Sequence, residues 1–237
     1  MTIEPLVAAD TNLDLLYERD QRGLLVRSRD HSVSPPLLHL VRTAAGNRWL
    51  LSAALNESVR AEVEAALTVE PVVTALSELE PSAPVLRGIR ELLAKGNVPL
   101  SEERGPTFLF SPSMTAATSS AEELGDVREL RTVPELEWLR RITARERPVF
   151  VCRNPEGEVV SLCHSSRSTP RAAAAGVETA PAYRGNGLAV QVVAAWAEAV
   201  RGQGRVAIYG TSWTNGASRS VASKLGLVMY GEDYHLG

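Results

Sequence analysis

The sequence predicts a mixed α/β protein in two parts: a smaller α+β N-terminal domain over residues 1–106 and a larger domain over residues 107–237, built on a mixed sheet flanked by helices. Three observations predict it. In the second part, β-branched apolar runs alternate with amphipathic stretches in the order strand, helix, hairpin, strand, glycine turn, helix, strand, helix, strand, and such alternation is the mark of α/β layering. The first part mixes a hairpin with helices and lacks that regularity. Residues 111–121, SPSMTAATSSA, are small, polar and aperiodic, and so read as a loop or linker.

Taken in order, Asp10 or Thr11 can cap a short helix carrying Leu13, Leu16 and Tyr17 that ends near Gly23. Residues 31–36 are punctuated by Ser and Pro and form a loop, so His31 is structural. Residues 37–42 and 49–54 make a hairpin across Ala44-Ala45-Gly46-Asn47, with His39 a structural residue between Leu38 and Leu40. Asn56 caps a helix whose Val59, Val63 and Leu67 share one face, and Ser82 with Pro84 opens another carrying Val85, Leu86, Ile89, Leu92 and Leu93, closed by Gly96. Nothing in this part has the spacing of a catalytic constellation. Its role stays open between a lid, a dimerisation surface and a degenerate copy of the second half.

In the second part, residues 107–110 form a strand belonging to either side of the linker, and residues 127–132 form the next. Thr132 and Pro134 open a helix over 134–145 with Leu136, Leu139 and Ile142 inward. Strands over 149–153 and 159–165 flank the turn Asn154-Pro155-Glu156-Gly157. Cys152 and Cys163 fall in these apolar strands, and two cysteines make no disulfide framework; they read as buried free thiols of a cytoplasmic protein. Residues 176–179 are a further strand, and the tail 227–236 gives one or two closing strands.

Between strand and helix lies Arg184-Gly185-Asn186-Gly187, with the helix opening at Leu188. Glycines at that junction let the backbone approach an anion, and the first free N–H groups of the helix point at it with the favourable end of the dipole. Ala189, Val192, Val193, Trp196 and Val200 repeat at helical spacing, and Gly202 and Gly204 supply the stop. A dinucleotide fingerprint would need a third glycine where Val190 stands, and Pro181 sits in the turn; a Walker loop would need a Lys after the glycines. What remains is Arg184-x-x-Gly187-x-Ala189. Downstream, residues 205–211 suit a buried strand, and Thr214 or Asn215 caps a helix with Val221, Ala222 and Leu225 on its apolar face and Gly226 at its end.

The first motif resembles the R/Q-x-x-G-x-G/A signature of the GNAT family of N-acetyltransferases. The stretch Asn215-x-Ala217-Ser218-x-x-Val221-Ala222-x-Lys224-Leu225-Gly226-Leu227 is similar to that family's second motif, in the family's order and interval. The resemblance covers about the last half of the chain. It implies a GNAT-like mixed sheet splayed at its centre to admit acetyl-CoA (coenzyme A) as co-substrate. It further implies that backbone groups over Val177 to Thr179 face the pantetheine and thioester. The turn Arg184, Gly185, Asn186, Gly187, Leu188 and Ala189 would take the pyrophosphate, and the Asn215-headed helix would flank the arm.

Amine acetylation asks for a held thioester, a neutral amine and a proton for the leaving thiolate. Many family members place a Glu on this strand; the usual positions here read Ala172 to Ala175, and Glu178 is the nearest carboxylate. Glu178 is the candidate base, weighed against a structural ion pair, and His164 is a second candidate. The family's Tyr, four residues before the Gly of K-L-G, is replaced by Ala222, so Ser218 becomes the candidate acid, with Tyr230 and Tyr234 conceivable. Trp213 either lines the acceptor site or fills the sheet face.

Composition sets the outer limits. With 237 residues, 44% hydrophobic and 22% charged, the chain is an ordinary globular one. A net charge of −3 without a basic block gives nucleic acid no electrostatic support. Residues 1–16 lack a signal-peptide pattern and no run reaches membrane-spanning length, so the expectation is a cytoplasmic protein with no membrane partner. No Cys/His/carboxylate set has metal-ligand spacing, so no metal is expected. The resulting expectation is an acetyl-CoA-dependent N-acetyltransferase acting on a primary amine of a small molecule or peptide, with homodimerisation left open. The rivals are a non-catalytic acetyl-CoA-binding sensor or regulatory domain, suggested by Ala222 and the alanine run, and a nicotinamide-dependent enzyme using the G-x-G turn.

Overall fold

The computed structural model describes residues 3–30, 33–79, 84–94, 100–111, 114, 120–125 and 130–237. In chain order its elements are α1 (Pro5–Leu16), β1 (Tyr17–Arg19), β2 (Leu25–Ser28), β3 (Leu38–Thr43), β4 (Gly46–Leu51), α2 (Glu57–Thr68), α3 (Pro84–Ala94), β5 (Glu102–Leu109), β6 (Glu122–Glu123), β7 (Val149–Arg153), β8 (Val159–Ser168), β9 (Ala172–Thr179), α4 (Leu188–Gly202), β10 (Val206–Gly210), α5 (Gly216–Lys224) and β11 (Val228–Leu236). The chain forms two compact units: Met1–Phe108 with Gly210–Gly216 and Met229–Gly237, and Leu109–Tyr209 with Ala217–Val228. Among the described residues no helix is long and apolar enough to cross a membrane.

In the first unit the strands run in the order β4-β3-β11-β5. β3 pairs antiparallel with both β4 and β11, and all six of its residues are buried, the polar His39, Arg42 and Thr43 included. Asn56 caps α2 by accepting from Val59 N at 2.8 Å. Val63 and Leu67 of α2, with Leu86, Ile89 and Leu93 of α3, pack on Leu38, Leu40, Tyr234 and Leu236 of the sheet. The first helix lies earlier than expected. Pro5 occupies its first turn, where a missing N–H costs nothing, and Thr11 sits inside it, its hydroxyl bonded back to Val7 O at 2.7 Å. Residues expected to extend that helix form the β1–β2 hairpin instead, because Asp20 takes the N–H groups of Arg22 and Leu24 and closes the turn. His31, Ser82 and Gly96 lie outside the described residues.

In the second unit the order is β10-β9-β8-β7-β6, antiparallel except for β9 with β10. One face carries Leu136, Leu139, Val149, Val151, Val160 and Leu162. On the other, α4 buries Val192, Val193, Trp196, Ala197 and Val200, and Trp196 Nε1 donates to Ser165 Oγ at 3.1 Å. The helix expected over 134–145 is instead a 3₁₀ stretch, Pro134–Arg141, and Ile142 is already extended. The reason is visible in the sequence. Leu136, Leu139 and Ile142 recur every three residues, the period of a 3₁₀ helix rather than an α-helix. Of the strand expected over 127–132, residues 127–129 lie outside the described residues; Thr132 makes a single bridge to Val159. The tail is one strand, β11.

Candidate active site

The glycine turn is built by the exit of β9. A single 3₁₀ turn, Pro181–Tyr183, leads into Arg184, and Gly187 then stands at the N-cap of α4 in the left-handed region, φ 76°. Gly185 has φ 84°, and a Cβ at either glycine would meet nothing within 4 Å. Their absent side chains therefore leave open space in front of the backbone. No side chain caps α4, and its first intrahelical acceptor is Gly187 O, bonded by Gln191 N at 3.3 Å. The N–H groups of Leu188, Ala189 and Val190 have no intrahelical partner, as in any first turn. Arg184 and Asn186 are exposed, the former donating from Nε to Thr179 O at 3.1 Å, the latter from Nδ2 to Tyr183 O at 3.2 Å.

Strand β9 adds a free backbone edge. Its ladder to β10 runs from Val206↔Ala172 to Ile208↔Ala174 and stops, while pairing with β8 continues to Thr179. Ala180 N donates to Val160 O at 2.9 Å, which sets the phase of the antiparallel ladder. Hydrogen-bonded positions alternate, so Gly176 and Glu178 turn their backbone groups to β8, and Val177 and Thr179 turn theirs to the opposite edge. A strand parted from its neighbour thus presents backbone donors and acceptors directly before an anion-competent turn.

The side chains of β9 sort by the same alternation. Glu178 lies opposite Leu162, and Gly176 opposite His164, so Glu178 and His164 share one face. Trp138 joins them: its Nε1 donates to Glu178 Oε2 at 3.0 Å, and its ring meets the His164 ring edge-on at 5.3 Å. Gly176 is required here, since a Cβ would lie 2.4 Å from His164 Nε2. Burial, with help from Arg167, lowers the His164 pKa below the usual imidazole value against the pull of Glu146, and its Nδ1 has no hydrogen-bond partner. Burial therefore disfavours the charged form of the His164 ring, which packs against Trp138 beside Glu178.

Ser218 stands in the first turn of α5 and shares a 2.6 Å hydrogen bond between its Oγ and the Tyr209 hydroxyl. Burial pushes the Tyr209 pKa up, opposed by the Ser218 bond and reinforced by Cys163. Tyr209 is a site residue that sequence reasoning missed; the signal was a hydroxyl-bearing aromatic alternating with Ala207 in a small-residue strand. Trp138 was missed because its partners come from a strand far along the chain. Asn215 is exposed, one residue before α5, and belongs to the first unit. Tyr230 and Tyr234 are buried in that same unit, Tyr230 accepting from Thr107 Oγ1 at 3.1 Å, and burial raises both phenols. Trp213 donates from Nε1 to Glu232 Oε1 at 2.7 Å.

The residues present fit a coenzyme A thioester: open glycines and uncapped N–H groups for phosphates, and an unpaired strand edge for an amide-bearing arm. The fold and site define an α/β unit with an anion-competent turn at the end of a strand that parts from its neighbour. Residues 149–235 match the family model described as GNAT acetyltransferase, so the C-terminal part of the chain is similar to that family. No curated protein matches the chain. Among solved structures it is similar to a GNAT-family protein from Novosphingobium aromaticivorans (18% identity, 59% of this chain and 65% of that chain, TM-score 0.46). It is similar also to an acetyltransferase from the GNAT family of Colwellia psychrerythraea (13% identity, 80% and 76%, TM-score 0.46). A third is a GCN5-related N-acetyltransferase-like protein from Streptococcus suis (15% identity, 88% and 86%, TM-score 0.43). The chain spans just under two thirds of the length of the first of these.

Proposed function

We propose that the protein is an acetyl-CoA-dependent N-acetyltransferase acting on a primary amine of a small molecule or peptide. The observation that carries this reading is the parting of β9 from β10 after Ala174, directly ahead of the uncapped, glycine-cleared start of α4. Acetyl-CoA supplies an acyl group activated as a thioester. Gly185, Asn186, Gly187, Leu188 and Ala189 hold its phosphates through backbone N–H groups, with Arg184 as the adjacent charge. The backbone groups that Val177 and Thr179 turn away from β8 hold the arm and orient the carbonyl.

The bond that forms joins the amine nitrogen to the acyl carbon, and the carbon–sulfur bond breaks. Glu178, oriented by the Trp138 indole, accepts the proton that the amine gives up. Ser218, with the Tyr209 hydroxyl at 2.6 Å behind it, returns a proton to the sulfur. The domain boundary we assign lies at residues 106/107. The buried free thiols Cys152 and Cys163 support a cytoplasmic setting.

A thermal-shift titration with acetyl-CoA, with NAD as control, tests the cofactor reading. Ligand at about one hundred times its Kd stabilises the native state by about 2.7 kcal/mol. A rise in Tm with acetyl-CoA alone is expected. A shift with neither ligand removes the binding reading and the enzymatic one with it.

A further inference from the structure

The first unit holds a second cluster of titratable side chains, outside the site described above. His39 on β3 and His235 on β11 are directly paired across the antiparallel ladder, and Asp233 lies two residues along the same strand, hence on the same face. Their rings are 4.1 Å apart, and one potential ligand atom from each of the three residues lies within 4.8 Å of the others. His39 is fully buried. Among the described residues the Nε2 of His235 has no hydrogen-bond partner, and that of His39 approaches only Asp233 Oδ1, at 3.4 Å. A buried imidazole nitrogen left without a full hydrogen bond beside a carboxylate is costly unless something occupies the space it faces.

We propose that His39, Asp233 and His235 form a binding site for a divalent transition-metal ion, Zn²⁺ by ligand type. The spacing suits it. His39 Nε2 lies 3.4 Å from Asp233 Oδ1, close to the edge of about 3.3–3.4 Å that bonds of 2.0–2.1 Å make in a tetrahedron. The outer contacts suit it as well. Tyr17 OH lies 2.9 Å from His39 Nδ1; when that nitrogen carries the proton and donates to the phenol oxygen, the Nε2 lone pair is turned to the ion. Asn12 Nδ2 donates to both Asp233 oxygens, at 3.1 and 2.9 Å, and so fixes the carboxylate while leaving lone pairs on it. Metal-binding imidazoles and carboxylates are held by partners of this kind. Two imidazole nitrogens favour Zn²⁺ over Ca²⁺ or Mg²⁺, which prefer oxygen. Three protein ligands leave a fourth position for water. The ion would tie α1, through Asn12, and β1, through Tyr17, to the sheet.

The test uses the full chain, tag removed and stripped with a chelator, titrated with Zn²⁺ against a chromophoric competitor. One equivalent should bind and raise Tm, and Co²⁺ in its place should give the intense visible absorption of a tetrahedral site. Asp233→Asn and His235→Gln keep the shape of the residues they replace, and each should weaken Zn²⁺ binding at least tenfold. Asn12→Ala should weaken it by about ten- to a hundredfold while leaving the ligands in place. Should the ligand variants fail to fold, the imidazole ¹⁵N resonances of the wild-type protein decide: those of His39 and His235 must move on adding Zn²⁺. Absence of uptake by the stripped wild type, equal affinity in folded variants, or unmoved resonances would each overturn the proposal.

Discussion

Trp138 Nε1 donates to Glu178 Oε2 at 3.0 Å, so the carboxylate before the glycine turn is held by a 3₁₀ stretch rather than by its own strand. Glu178→Gln should leave acetyl-CoA affinity near the wild-type value and lower kcat roughly a hundredfold or more, the usual scale for a lost general base. Trp138→Phe should give a smaller loss in kcat through misorientation. The check is a pH–rate profile of both variants beside a binding titration; an unaltered profile in Glu178→Gln would remove Glu178 from the mechanism.

The cofactor turn predicts a different pattern. Gly187→Val places a β-branched residue at φ 76°, costing roughly 1–2 kcal/mol in conformation, and fills the space in front of the helix. Arg184→Ala touches an exposed side chain and should change stability by less than about 0.5 kcal/mol. Both should raise the Kd for acetyl-CoA, and only the first should lower Tm. Isothermal titration beside urea melts separates the two effects.

For the proton donor, Ser218→Ala removes the 2.6 Å partner of Tyr209. A lost buried hydrogen bond costs about 1 kcal/mol of stability, so the variant should fold. If Ser218 and Tyr209 act as one relay, Ser218→Ala and Tyr209→Phe should each lower kcat, and the double variant should lower it little further. Fully additive losses would separate their roles.

His164 predicts a pH effect with a defined sign. Burial lowers its pKa below the ordinary 6.5, so just below that pH the unfolded chain binds the proton that the folded chain refuses. Stability therefore falls as pH drops through about 6.5, until the folded ring itself protonates. In His164→Leu this contribution vanishes while other buried groups remain. The wild type should accordingly lose more unfolding free energy than the variant between pH 7 and pH 5, read from urea melts at each pH. Equal losses would show that folding does not shift the His164 titration.

Trp196 tests the support behind the turn. It is a fully buried residue of α4 and donates to Ser165 on β8. Trp196→Ala should cost about 3–5 kcal/mol, a large part of a typical domain stability of about 5–15 kcal/mol. Trp196→Phe should cost markedly less. A loss under about 1 kcal/mol for the alanine variant would mean that α4 is not held by this contact.

What the sequence by itself determined is local. The Arg184 to Ala189 turn, the apolar stripe of α4, the Asn56 cap and the Asn154 to Gly157 hairpin are each written in neighbouring residues, because turn chemistry and helical period act over a few positions. Even the 3₁₀ stretch was there to read in the three-residue spacing of Leu136, Leu139 and Ile142. Tertiary structure decided which groups meet. The end of the β9–β10 ladder at Ala174 depends on two strands separated by a whole helix. The Trp138–Glu178 bond needs a sheet between its partners, and Tyr209 gains a role only when α5 sets Ser218 against it. His39 and His235 stand at opposite ends of the chain and become neighbours only through the register of β3 with β11. No spacing rule along a sequence anticipates a contact whose closing loop is nearly the whole protein, because that register is set by packing on the core and not by the residues between.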